Sequence, residues 1–250
     1  MESLFKNLKM DSLIVEEISK LSVGSNENNC DGRSGWEEFF SRNLSVIDKI
    51  SEKIAVFERT NQIVPDKDKI FRAFELCPFD KVKVVIFGQD PYQSLNKSGE
   101  PIAQGLAFSV KDGEKIPPSL RNIIKEIKNE YPNCHMSSSG SLESWAKQGV
   151  LLLNISLTTN MGKSDAHKKV WDSFIINVMK ELSDKKPNCI YLLWGNNAKA
   201  MQKHITKGYI LTAAHPSPLS ANKGFFGCDH FIETNKILQE NNESEIDWCI

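Results

Sequence analysis

The sequence lacks the features that mark several large classes of protein. Its 250 residues carry a formal net charge of −1, so there is no basic excess to coat a polyanion, although a local basic face stays open. Six cysteines, Cys30, Cys77, Cys134, Cys189, Cys228 and Cys249, stand far apart and form no Cys-x-x-Cys pair. That spacing leaves a zinc ribbon, an iron-sulfur cluster and a redox motif unsupported, and it reads as reduced thiols of an intracellular protein. No apolar run reaches the length of a membrane span, and the N-terminus has no basic stretch followed by an apolar one. Internal repeats, a Gly-x-Gly-x-x-Gly turn and a Walker-type phosphate loop are missing too, so no nucleotide cofactor is indicated. What remains is a chain of ordinary composition, 40% hydrophobic and 25% charged, long enough for one large core.

Residues 1–35 read as an N-terminal amphipathic segment followed by a flexible linker. Leu4, Phe5, Leu8, Leu13, Ile14, Ile18 and Leu21 recur at near-helical spacing, whereas 22–35 is rich in Ser, Asn, Asp and Gly with little to bury. Residues 36–250 read as a single α/β domain. Helices are predicted over 36–57, 66–77 and 142–147, from Pro117-Pro118-Ser119 onward, around 171–182, from after Asn197 to about 205, and from about 229. Apolar runs predict strands leading into Gly88 and over 150–153, 189–194 and 209–214. This alternation predicts a central four-stranded, mostly parallel, twisted sheet with helices on both faces.

The polar residues fall where such a sheet binds ligands. Three of the four predicted strands stay apolar to their carboxyl ends and there release Asp90, Asn154 and His215, an acid, an amide and an imidazole along one edge. Taken singly, each has a plain reading: a turn-capping Asp before Pro, an Asn bonded to its own turn, a buried His satisfied by backbone. Their joint placement argues for a site.

The motifs that carry these residues resemble, in order, those of the first family of uracil-DNA glycosylases. They are Gly88-Gln89-Asp90-Pro91-Tyr92, Gly105-Leu106-Ala107-Phe108-Ser109-Val110, Pro117-Pro118-Ser119-Leu120, Leu151-Leu152-Leu153-Asn154 and His215-Pro216-Ser217-Pro218-Leu219-Ser220, followed by Gly224-Phe225-Phe226-Gly227-Cys228. The resemblance implies a DNA repair hydrolase that cleaves the N-glycosidic bond of deoxyuridine, with no metal and no organic cofactor. Asp90 would stabilise positive charge on the sugar and orient the attacking water, and a neutral His215 would donate to the departing base. Gln89, Tyr92, Phe108 and Asn154 would hold uracil: Phe108 by stacking, Asn154 by matching O4 and N3–H, Tyr92 by blocking a 5-methyl group. Leu219 would be the wedge that enters the space of a flipped base, Ser119 and Ser217 would contact phosphate, and Ser220 would join them in binding DNA. Ser119 also reads as a plain helix N-cap, which is compatible with phosphate binding. Lys163, Lys168, Lys169 and Lys223 are candidates for a basic rim, each equally an ordinary solvated lysine.

The implied partners are uracil-containing DNA, single- or double-stranded, and replication or repair proteins. The chain would act as a monomer, away from membranes, in an intracellular compartment that holds DNA. Gln93 departs from the family histidine after Tyr, residues 94–103 are longer than the family pattern, and 161–167 lacks the usual arginine and has Ala166 before His167 in place of serine. Two other classes accommodate the same residues: a DNA-docking module with reduced activity, and a hydrolase of free nucleosides.

Overall fold

The computed structural model describes residues 35–135 and 137–249. The amphipathic segment expected at the N-terminus, and its linker up to residue 34, lie outside the described residues. In chain order the elements are α1 (Glu37–Arg42), α2 (Leu44–Glu58), β1 (Ile63–Val64), α3 (Arg72–Leu76), β2 (Val84–Gly88), α4 (Pro118–Glu130), α5 (Glu143–Lys147), β3 (Val150–Asn154), β4 (Thr159–Asn160), α6 (Lys168–Lys185), β5 (Ile190–Trp194), α7 (Gly195–Lys199), β6 (Tyr209–Ala213) and α8 (His230–Glu240). Short 3-10 turns fill several of the connections.

The main sheet has four parallel strands in the order β3-β2-β5-β6. Every residue of β2, β3 and β5 is buried, as a sheet covered by helices on both faces requires; of the two edge strands, β3 is covered and β6 is partly exposed. From β2 the chain crosses to β3 on one side, then returns to place β5 and β6 on the other. Such a reversal opens a crevice beyond the carboxyl ends of the strands. Register matters there, because Gly88 pairs with Asn154 at the last rung of β2 and β3.

Two aromatic clusters hold the helices to this sheet. Trp36, Phe39, Phe40, Phe71, Phe74, Trp171 and Phe174 interlock edge to face and bind α1, α3 and α6 together. Trp145, Trp194, Phe225, Phe231 and Trp248 do the same for α5, α8 and the C-terminal tail. All five tryptophans are at most 2% exposed, and each such ring contributes roughly 1.5–3 kcal/mol of burial or more. Among the described residues no helix is long and apolar enough to cross a membrane.

Three sequence expectations need correction or addition. Cys134 and Cys249 are joined in a disulfide, whereas all six cysteines were expected to be thiols; Cys77, Cys189 and Cys228 are free. The two bonded residues are 115 positions apart, so sequence spacing could not bring them together. Ser119 does not cap α4: Pro117 holds the cap position and Pro118 opens the helix, its φ already suited to the first turn and its missing N–H not needed there. Finally β1 and β4 pair antiparallel, Ile63 with Asn160 and Val64 with Thr159, a ribbon too short to leave an alternating pattern.

Glu130, at the end of α4, caps the opposite helix end: its Oε2 accepts the Ile232 N–H at 2.7 Å in the first turn of α8. Among the described residues its buried Oε1 has no partner, and burial pushes the carboxyl from 4.5 up to about 7, with the charges of Glu126 and Asp229 adding to the shift. Between those two values the folded chain holds a proton that the unfolded chain releases. Stability from this group is therefore full below about pH 4.5 and lost as pH rises through about 7. Glu130→Gln, which keeps an acceptor for Ile232, is expected to raise stability at pH 8 by about 1 kcal/mol, or roughly 2–4 °C in Tm, after allowing for solvent screening. Melting curves at pH 8 and pH 5 check this, the gain shrinking at the lower pH.

Candidate active site

A pocket of about 310 Å³ opens at the carboxyl edge of the sheet. Of the ten residues singled out in the sequence, Gln89, Asp90, Tyr92, Phe108, Ser119, Asn154 and His215 line it. Ser217, Leu219 and Ser220 do not line it; they stand on the loop that leaves His215.

Each lining side chain is fixed by a local cause. Asn154 ends β3 and is buried, yet among the described residues its amide makes no hydrogen bond to protein. It therefore keeps its donor and acceptor for a ligand. Its neighbour Gly88 explains how it fits. A Cβ at Gly88 would overlap Asn154 Oδ1 and stand 2.9 Å from Ala107 Cβ, so the rung between β2 and β3 has room for the amide only because residue 88 has no side chain. Gly88→Ala is expected to cost about 1–3 kcal/mol of stability through overpacking. It should also lower kcat/KM at least about 100-fold by turning the amide away, a displacement of order 1 Å being enough. Thermal melts and steady-state rates on one preparation test both.

Phe108 is 8% exposed and adopts a positive φ of 63°, a conformation costly for a bulky residue. Strain of this kind persists where surrounding structure holds a side chain for use. Tyr92 supplies part of the hold by donating its hydroxyl to the Phe108 carbonyl at 3.2 Å, which also sets the tyrosine ring as a pocket wall. The Phe108 ring lies 5.8 Å from the His215 ring.

Asp90 follows β2 and is held on one side only. Its Oδ2 accepts from the Asp165 backbone N–H at 2.7 Å, the Ser164 hydroxyl at 2.9 Å and the Gln93 amide at 3.1 Å, while Oδ1 takes no protein donor among the described residues. Burial raises the carboxyl above the ordinary aspartate value; the three donors pull it back, and the Asp165 carboxylate adds to the rise. Gln93, which departs from the family histidine, thus supports Asp90 with a donor that does not titrate.

His215 follows β6. Its Nδ1 accepts the Ser217 N–H at 3.0 Å, so in the neutral ring the proton resides on Nε2. Burial lowers its pKa, which keeps the ring neutral near pH 7. The main chain of Gly195, at a φ of 84°, passes so near that a Cβ would lie 2.8 Å from His215 Cβ. The serines of this loop bond inward: Ser220 Oγ donates to the His215 carbonyl at 2.8 Å, and the Ser217 and Ser220 hydroxyls pair at 2.9 Å. Leu219 at the tip is 86% exposed.

Sequence reasoning missed Ser164, Asp165 and Gly195. Ser164 and Asp165 lie 74 and 75 positions from Asp90 and are delivered by the loop after β4. Gln89 bonds that loop by donating to Ser164 Oγ at 3.0 Å and Asp165 Oδ2 at 2.9 Å; its amide is thus a clamp between two loops at the pocket rim. From below, buried His167 ties the loop down through Thr158 Oγ1 on Nδ1 at 3.0 Å and Asn160 Oδ1 on Nε2 at 2.8 Å, stacked on Phe57. Burial lowers its pKa to about 4, so this histidine is structural at neutral pH. In the loop itself Asp165 takes a positive φ of 58°. Of the lysines weighed for a basic rim, Lys168 donates to Asn197 Oδ1 at 2.9 Å, while Lys163, Lys169 and Lys223 are exposed.

Fold and site together define an α/β enzyme whose acid, amide and imidazole line one pocket at a sheet's carboxyl edge. Comparison with known proteins specifies it further. Residues 74–239 match the family described as the Uracil DNA glycosylase superfamily. A uracil-DNA glycosylase of Fusobacterium nucleatum is 44% identical over 225 residues, 89% of this chain and 96% of that relative. One of Actinobacillus succinogenes is 48% identical over 189 residues, 74% of this chain and 83% of the relative. The crystal structure of mimivirus uracil-DNA glycosylase superposes with a TM-score of 0.82 at 28% identity, covering 96% of this chain and all 100% of that one. A variant of the mimivirus protein, in complex with UGI, gives 0.83 at 28% identity over 98% and 97% of the two chains. The chain belongs to the uracil DNA glycosylase superfamily.

Proposed function

We infer that this enzyme hydrolyses the N-glycosidic bond of deoxyuridine in DNA, releasing uracil and leaving an abasic site for base excision repair. The observation that carries the reading is the convergence of Asp90, Asn154, His215 and Phe108 on one pocket of about 310 Å³ in a chain of this superfamily.

Cleavage builds positive charge on the sugar and negative charge on uracil. The free Oδ1 of Asp90 is placed to face the first and to orient or accept a proton from the attacking water. The Nε2–H of His215 serves the second, as a neutral donor to the base carbonyl, a role supported by the Nδ1 bond from Ser217. Uracil leaves as a resonance-stabilised anion, so a second carboxylate is not demanded. The unpartnered Asn154 amide matches O4 and N3–H and mismatches cytosine, whose N3 and amino group reverse the pattern. Phe108 stacks on the base, and the Tyr92 wall excludes a 5-methyl group.

A base within a duplex must be flipped out, at about a few kcal/mol. Leu219 supports this step: left in water, it forgoes roughly 1.5–3 kcal/mol that burial would supply, and Pro216 and Pro218 keep its loop stiff for entry into DNA. Ser119 lies in the first turn of α4, where unbonded N–H groups favour a phosphate, and Ser217 and Ser220, paired with each other on the loop after His215, are the further candidates for DNA contact. On this reading the chain acts as a monomer on single- or double-stranded DNA. Replication or repair proteins are the further partners on this reading, in an intracellular compartment that holds DNA.

The test is an oligonucleotide with one deoxyuridine, treated with protein and then with alkali. Strand scission at the uracil position is expected, with free deoxyuridine left intact because the DNA backbone supplies the binding energy that reaches the transition state. A strand that stays whole would refute the reading.

A further inference from the structure

Beside the uracil pocket lies a larger cleft of about 850 Å³, which shares Tyr92 and Ser94 with it. One wall is the segment that is longer here than in the family pattern. This segment is built rather than loose. Leu95 bridges Pro101, the Ile102 N–H bonds the Ser94 carbonyl at 3.1 Å, and Asn96 Oδ1 accepts the N–H groups of Ser98 and Glu100, both at 2.9 Å. The Asn96 amide then reaches across to Glu114 Oε1 at 2.9 Å, tying the hairpin to the loop that precedes α4. A wall already in place loses little entropy when a ligand arrives.

The lining is apolar at the base and cationic at the rim. Leu95, 44% exposed, faces the cleft with the half-buried Ile102 and Ile116. Lys97, Lys115 and Arg121 are exposed around it, and among the described residues none of the three is in an ion pair. The lining's one acid, Glu114, is engaged by Asn96. A chain of net charge −1 has thus gathered three unneutralised cations at the side of its active site. Of the few large apolar side chains left exposed, Leu95 and Leu219 both stand on loops that border the pocket.

We propose that this cleft is a second nucleotide subsite, which holds a neighbour of the target deoxyuridine on the same strand, its base against Leu95, Ile102 and Ile116 and its phosphates on Lys97, Lys115 and Arg121. The proposal rests on the uracil-excision reading, since the cleft adjoins that pocket across Tyr92 and Ser94. A base offers an apolar face and a phosphate a negative charge, and the cleft presents both complements at adjoining positions.

The experiment is steady-state uracil release from single-stranded oligonucleotides at several salt concentrations. Lys97→Met/Lys115→Met is expected to raise KM about tenfold with kcat within twofold, and to flatten the slope of log KM against log salt by roughly 1.4. Lys207→Met, in the turn before β6 at the opposite end of the sheet, should change neither. Substrates with an abasic analogue immediately 5′ or 3′ of the deoxyuridine identify the seat: wild-type KM should rise a few-fold on one side only, and Leu95→Ala should erase that difference. Wild-type release with unchanged KM and salt slope in the double variant overturns the subsite and leaves the activity standing. Equal KM with either abasic neighbour overturns the base seat. No release by wild type overturns both the activity and the subsite.

Discussion

Asp90→Asn is expected to lower kcat for uracil release by roughly 10²–10⁴-fold while leaving the protein folded and no less stable than wild type. The structure separates the two effects. Asp90 uses only Oδ2 to hold its place, through the Asp165 N–H, the Ser164 hydroxyl and the Gln93 amide. An asparagine carbonyl can accept the same three bonds, so its amide takes the position of Oδ1 facing the pocket. What disappears is negative charge where the sugar becomes positive, together with the acceptor for the water's proton. By about 1.36 kcal/mol per tenfold, the change removes some 3–5 kcal/mol of transition-state stabilisation. Stability moves the other way. Burial raises the Asp90 carboxyl, which means the folded chain holds this charge at a cost at neutral pH. Removing it should hold or raise the melting temperature. Single-turnover release and a thermal melt on the same preparation decide the matter; a rate within tenfold of wild type would remove Asp90 from the chemistry.

The same contrast shows what a sequence can reveal. Asp90, Asn154 and His215 were legible because each closes or follows an apolar run, and an apolar run is visible wherever a strand is buried on both faces. The crevice was legible for the same reason. Ser164 and Asp165 were not, since what they contribute to Asp90 is a hydroxyl and a backbone N–H delivered by a loop 74 and 75 positions away. Nothing in their residue types announces that delivery, and the β1–β4 ribbon and His167 that hold the loop are equally silent. Likewise the Cys134–Cys249 bond depends on where the tail folds back, which hydrophobic periodicity does not encode. Ser119 shows the finer limit. The helix start was placed correctly, yet the cap fell two residues earlier because Pro118 itself suits the first helical position. Gln93 stood out in the sequence as a departure, and only the geometry shows it bonded to the acid.

His215→Ala should reduce kcat and kcat/KM by the same factor, about 10²–10³, as expected for a donor whose bond matters only once charge has reached the base. His215→Gln should recover part of that loss, because its amide can donate toward the pocket while its carbonyl accepts the Ser217 N–H that Nδ1 now takes. That rescue distinguishes a neutral donor from a proton-transferring acid, which glutamine cannot replace. The pH dependence gives a second discrimination. Burial depresses the histidine pKa and raises that of Asp90, bringing both ionisations toward one another on the acid side of neutrality. As pH falls, Asp90 gains a proton and loses its charge, while His215 gains a proton on Nδ1 and loses the Ser217 bond that orients it. Both changes lower activity, so wild-type kcat/KM should fall with a combined slope approaching two, whereas His215→Gln should keep only the Asp90 limb and a slope near one. Gly195 lends the argument a structural control: its main chain packs against His215 Cβ, so the glutamine variant, which keeps that carbon, should melt within a few degrees of wild type. A glutamine variant that is folded but no faster than the alanine variant, or that retains the steeper limb, would contradict the neutral-donor role.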